Sequence, residues 1–189
     1  MAPCRLSLAA ALLLSFATVA CAATVGDALP PLPKTLPDLL PDTVQSSVDK
    51  TVAGLLTQYH YRRVKIDSAL SATVFDDYLS ALDFSHSFLL ASDVAELGQY
   101  RDKIDDELRS GRLDAAFAIY NLYQQRLLER TRRISEELTR PFDFRKDETY
   151  EADRKKAPWA RTAAELDEIW RKRLKNETLS LMLAGKDEA

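Results

Sequence analysis

The stretch TVFDDYLSALDFSHSFLLASDV, residues 73–94, constrains the fold more than any other part of the chain. Val74, Phe75, Tyr78, Leu79 and Leu82 recur at the spacing of one helix face. From Asp83 to Ala91 that period breaks while the composition stays apolar, with Phe84, Phe88, Leu89 and Leu90 close together. A corner so apolar has to be buried against other helices, because contiguous exposed apolar surface is rare on a soluble monomer. Ser92 and Asp93 have the chemistry of capping residues and predict that a helix restarts there.

The remaining chain reads as further helices around this corner. Asp42, with Gln45 three residues on, predicts a capped first helix whose apolar stripe is Val44, Val48, Val52, Leu55, Leu56 and Tyr59. Asp67 caps a second helix over 68–82. A third is expected over 92–110, with Leu97, Tyr100 and Ile104 inward and Gly111 as its stop. The longest spans 113–139, with Phe117, Tyr120, Leu127, Leu128, Ile134 and Leu138 facing inward until Pro141. Residues 142–161 are irregular, with Tyr150 and Trp159 as anchors. Thr162 and Glu165 form a capping box for a last helix lined by Leu166, Ile169, Trp170 and Leu174. Its apolar pattern runs on through Leu179–Leu183 to Gly185. The chain has 189 residues and only 5 glycines, enough for one domain and few for a hairpin-rich fold. The expected fold class is all-α, an irregular bundle of about five helices.

The N-terminal segment has the layout of an export signal. Arg5 precedes an apolar run from Leu6 to Val19, and Ala20-Cys21-Ala22 fits the small-x-small cleavage rule. Residues 1–23 are therefore expected to leave as a signal peptide, taking Cys4 and Cys21 with them and delivering the domain to the periplasm. A second reading makes Cys21 the lipidated first residue of a bacterial lipoprotein, although Thr18 stands where that signal prefers a leucine-like residue. After Val19 no apolar run is long enough to span a bilayer. Residues 24–41 carry Pro30, Pro31, Pro33, Pro37 and Pro41, which forbid helix and central strand. Composition leaves this arm either a free spacer or a segment pinned to a neighbouring surface. Residues 42–189 form the helical domain.

Reactive chemistry is sparse. The net charge of −3 and scattered basic residues exclude a nucleic-acid footprint. His60 and His86 have no metal-binding spacing, and the expected mature chain keeps no cysteine. Asp76-Asp77 and Asp105-Asp106-Glu107 are expected on solvated helix faces, since adjacent helical residues diverge. Arg126, Arg130, Arg132 and Arg133 beside Glu129, Glu136 and Glu137 predict charge lacing along one helix. No catalytic, cofactor-binding or metal residue is assigned.

Four segments, FDDYLSALDFSHSFLLASDV, DELRSGRLD, DRKKAPW and LSLMLAGK, occur in order over residues 75–186. Together they resemble the N-terminal helical domain of the tail-specific proteases, or carboxy-terminal processing peptidases, of Gram-negative bacteria. The resemblance covers residues 43–186. It implies a periplasmic serine endopeptidase that recognises apolar tails through a PDZ domain and cuts with a Ser-Lys dyad. In the family both follow the helical domain, so no residue of either carries over. It further implies a scaffold role, with protein substrates, the PDZ and protease domains, and an adaptor lipoprotein as partners, and no cofactor. On this reading the helical domain is incomplete at its C-terminal end, and Leu179–Leu183 packs on a segment beyond it. The alternative is a stand-alone exported helical binding protein or lipoprotein.

Overall fold

A computed structural model describes residues 31–185. The signal segment with Cys4, Ala20, Cys21 and Ala22, the arm through Pro30, and residues 186–189 lie outside the described residues. Six α-helices follow in order: α1 (Thr43–Gln58), α2 (Ser68–Leu82), α3 (Ala91–Leu97), α4 (Ile104–Ser110), α5 (Asp114–Glu137) and α6 (Ala163–Leu183). A single 3₁₀ turn, Gly98–Tyr100, separates α3 from α4. The one β-type contact among the described residues is an isolated parallel bridge between Leu90 and Ala160. The protein is all-α, as its periodicities predict.

Local signals set most helix starts. Asp42 accepts from the Gln45 amide at 2.7 Å, and the Gln45 side chain accepts from the Asp42 amide at 2.9 Å, closing the expected capping box. Asp67 accepts from the Leu70 amide at 3.0 Å. Thr162 caps α6 through the Glu165 amide at 3.1 Å, but Glu165 reaches back to the Arg161 amide, one residue before the cap. Gly111 ends α4 in the left-handed region at φ 71°.

Tertiary contacts override the pattern in four places. The helix expected over 92–110 is broken, which raises the count to six. The fully buried Ser71 of α2 donates to the Arg101 carbonyl at 2.6 Å and accepts from the Ile104 amide at 3.0 Å, so its hydroxyl replaces the helical ladder there. Ser92 and Asp93 are not caps. Leu90 holds the cap position, because the Ala91 amide is drawn to the Ala160 carbonyl at 2.9 Å. Asp93 works from inside the helix, accepting from the Leu90 amide at 2.9 Å. On α5, Tyr120, Leu127 and Leu138 are exposed, whereas Gln124 and Arg130 are buried. Asp105 and Glu107 are also buried, against the expected solvated face: Glu107 accepts from the Ala115 amide at 2.8 Å and caps α5.

The fourth departure is α1, whose stripe is turned outward. Val44, Val48, Val52, Leu55 and Tyr59 are exposed, Leu56 at the edge of the stripe is half-buried, and Ala53 is buried. α1 packs on α4 through small and polar residues because Gly111 comes so close. A Cβ there would lie 2.7 Å from the Ser46 carbonyl oxygen and 2.5 Å from Lys50 Cε. Close approach selects the thin face of the helix, and the branched face is left to solvent.

Two clusters form the interior. Phe75, Leu79, Leu89, Leu97, Ile104, Ala115 and Ile119 make the main core, joining α2, the corner, α4 and α5. Ala160, Leu166 and Trp170 make a second cluster against Phe88, Leu90, Ile134 and Ile169, tying α6 to the corner and α5. Each of these larger side chains contributes about 2 kcal/mol by leaving water.

Candidate functional site

The corner expected to be buried is closed by one carboxylate. Asp83, 1% exposed, accepts from the amide of Ser87 at 2.7 Å through one oxygen. Its other oxygen accepts from the amides of Phe88 and Leu89 at 3.1 and 3.0 Å and from Trp159 Nε1 at 3.2 Å. The backbone from 87 to 89 cannot form helix or sheet here, so the side chain supplies the acceptors its amides need. Trp159 stacks on His86 with ring centroids 3.6 Å apart, and His86 Nδ1 lies 2.5 Å from the Ala157 carbonyl oxygen. His86 holds φ 47°, an uncommon value kept by these contacts. Trp170 Nε1 donates to the Ser87 carbonyl at 2.6 Å. The apolar corner and the APW segment, far apart in sequence, are thus halves of one staple.

Ion pairs spread from the staple across α5 and α6. Arg126 holds Asp93 with two hydrogen bonds of 2.8 Å, and Arg130, 6% exposed, reaches Asp167 at 2.6 Å. These arginines do more than lace their own helix: they bolt α5 to α3 and α6. Hydrogen bonding to Asp93 raises the Arg126 guanidinium above its ordinary value. Between α5 and α6 lies a groove of about 480 Å³ lined by Arg126, Arg130, Arg132 and Arg133 and by Glu129, Glu136 and Asp167. Its charges nearly balance.

Glu148 fastens the long connection before α6. It meets Arg171 at 2.5 Å, Lys175 at 2.7 Å and Lys146 at 3.0 Å. Hydrogen bonds from Arg171, then Lys175, then Lys146 hold its carboxyl well below the usual value of 4.5. A carboxyl lowered by folding stabilises the fold above its unfolded-state value and loses that contribution as pH falls. The melting temperature is therefore expected to hold near neutrality and to fall once pH drops through about 4.5. Glu148→Gln should flatten that acid limb; a limb of unchanged steepness would show that Glu148 does not link folding to protons.

The proline-rich arm is pinned, which composition alone left open. Asn121 of α5 donates to the Leu39 carbonyl and accepts from the Leu39 amide, both at 2.9 Å. Gln124 donates to the Pro37 carbonyl at 3.0 Å and Gln125 to the Leu36 carbonyl at 2.9 Å. Arg132 donates to the Pro33 carbonyl. Neither three side-chain amides nor one arginine on a helix carries a periodic signature of this kind, so none of the four is visible as a contact residue in the sequence.

The other singled-out residues are dispersed. His60 accepts from the Arg62 amide at 3.3 Å and is far in sequence and contacts from His86. Asp76 pairs with Arg101, and Asp77 is exposed. Among the described residues no group of three or more His, Cys, Asp or Glu is placed to hold a metal ion. No described helix is long and apolar enough to cross a membrane. Among the described residues the end of α6 is also an open apolar surface: Leu179, Leu181, Met182 and Leu183 are exposed, Leu183 by 81%.

Fold and geometry thus define an all-α domain, stapled through a buried carboxylate and bearing open apolar surfaces on α1 and at the end of α6. Sequence comparison identifies which one. A family model described as "Tail specific protease N-terminal domain" matches residues 52–189. The Tail-specific protease of Haemophilus influenzae (strain ATCC 51907 / DSM 11121 / KW20 / Rd) is 38% identical over 138 residues, 72% of this chain and 20% of that protein. The chain belongs to the tail-specific protease N-terminal domain family, as its four segments suggest. It spans about a fifth of the length of that curated relative. The Asp83 staple and the end of α6 lie inside the matched region; the arm and the first half of α1 precede it.

Proposed function

We propose that this chain is a non-catalytic docking domain of a periplasmic C-terminal-processing serine protease. It serves as a platform for a separate apparatus that binds and cuts apolar tails, and does no cutting itself. The observation that supports this most is the end of α6. Helix ends exposed to water are usually polar and frayed. Here Leu181, Met182 and Leu183 are 51%, 46% and 81% exposed, and they fall within the stretch that the family model matches. Such a patch fits the PDZ and protease segments that make up the rest of the family's length. Hydrolysis then belongs to a Ser-Lys dyad outside this domain, and export to a leader of the kind read in residues 1–23.

The purified chain is expected to leave a fluorogenic peptide with an apolar tail intact and to take up no active-site serine probe. Probe labelling that persists through further purification would contradict the proposal. A second reading, a free-standing exported binding protein, draws on the α1 face, because Val44 and Val48 are exposed and precede the matched region. The reading frame downstream of Ala189 separates the two: PDZ and Ser-Lys segments favour docking, and an unrelated gene favours the free-standing protein.

A further inference from the structure

We infer that the α5 face bearing Asn121, Gln124 and Gln125 is a clamp for extended polypeptide backbone, with the chain's own arm as its resident occupant. The proposal is that it takes a second proline-containing extended segment in trans once the arm is displaced.

The contacts all read main chain. Pro33, Leu36, Pro37 and Leu39 offer carbonyls, Leu39 also offers its amide, and every α5 partner is a side chain. Asn121 takes both the N–H and the C=O of one residue, a geometry that requires an extended strand and ignores what side chain it carries. A contact within α5 helps to orient the clamp: the Gln124 amide nitrogen also donates to Asn121 Oδ1 at 3.1 Å, fixing which way the Asn121 amide faces. The register fits a polyproline helix. The eleven helical steps of α5 from Asn121 to Arg132 rise about 17 Å. The six steps from Pro33 to Leu39 span about 19 Å at polyproline rise. Prolines suit such a site because they fix the extended form and leave every carbonyl free.

The arm's own side chains contribute little. Leu32 and Leu39 are 43% and 44% exposed and Leu40 is 80% exposed; Leu36 is the half-buried leucine. A site that reads backbone and ignores most side chains is not specific for the arm that fills it. Tethering gives the arm a high effective concentration, so a competitor gains access only when the arm is loosened.

The test uses the full chain. Leu36→Asp with Leu39→Pro removes the arm's half-buried side chain and its one amide donor while leaving α5 untouched. A labelled peptide of residues 32–41, titrated by fluorescence anisotropy, is expected to bind this variant at least about tenfold more tightly than the parent chain. Adding Asn121→Ala should remove that gain. A second peptide that keeps the prolines and Leu36 and carries serine at the exposed positions Leu32, Leu39 and Leu40 should bind within about threefold of the first. Absence of binding by an arm-released variant that keeps its helical circular dichroism and melting temperature would overturn the proposal. So would binding that survives Asn121→Ala, or that is lost with the serine peptide. The two tests rest on different residues, Asn121 here and Leu181 and Leu183 there, so failure here leaves the docking proposal standing, and failure of docking leaves the clamp standing.

Discussion

Asp83→Ala is expected to lower the unfolding free energy by about 4 kcal/mol, which for a domain of this size moves the melting temperature by roughly 10 °C. Asp83 is 1% exposed and accepts from three consecutive amides and an indole N–H. Alanine leaves those donors in a site where water does not replace the lost acceptors, and each stranded donor costs about 1–3 kcal/mol. The effect should grade with acceptor number. Asp83→Asn keeps one oxygen, which will turn to the side serving Phe88, Leu89 and Trp159, so a loss of about 2 kcal/mol is expected. Trp159→Phe removes one donor and keeps the stack on His86, for about 1 kcal/mol. Chemical denaturation of the three variants checks the order. Equal losses for all three would show that the corner is held by packing and not by the carboxylate.

The second large effect is Gly111→Ala, for which a loss of about 3 kcal/mol is expected. Two costs combine. The φ of 71° is a left-handed value that a Cβ disfavours by about 1 kcal/mol. The new methyl also stands 2.7 Å from Lys50 Cγ and from the Ser46 carbonyl oxygen. Lys50 can swing away, but Ser46 is helix backbone, so α1 must lift from α4. Adding Lys50→Ala should therefore rescue only a minor part of the loss. Hydrogen exchange is expected to accelerate across α1 and to stay slow in α2 and α5. A variant whose α1 amides remain as protected as the parent's would show that the close approach does not hold α1 in place.

What the sequence revealed follows from how local each signal is. The caps at Asp42 and Asp67 and the stop at Gly111 are contacts within a few residues, and they were legible. The burial of the corner was legible in part: Leu89 is fully buried and Phe88 and Leu90 half-buried, but Phe84, read as part of the same apolar corner, is 55% exposed, with the Lys155 ammonium over its ring. The staple was not. Asp83 stands where the helical period fails, and one of its donors, Trp159, comes from 76 residues away. Periodicity found the apolar stripe of α1 without saying which way it faces; that depends on Gly111, in another helix. Charge spacing pointed to pairs along α5, yet Arg126 and Arg130 reach Asp93 and Asp167 on other helices. The arm groove left no trace in pattern, since Asn121, Gln124 and Gln125 are ordinary surface residues until an extended strand lies on them. Family resemblance, carried by four separated segments, reached the assignment that residue chemistry alone did not.

The central proposal is that this domain docks, through the open end of α6, onto the tail-binding and cutting parts of a tail-specific protease. The most direct measurement is calorimetric titration of this chain into a tail-specific protease from which its own N-terminal domain has been removed. The account predicts saturable binding at micromolar concentration or tighter, weakened at least about tenfold by Leu181→Asp with Leu183→Asp. Titrations that show no heat of binding, or an affinity unchanged by those two substitutions, would contradict it.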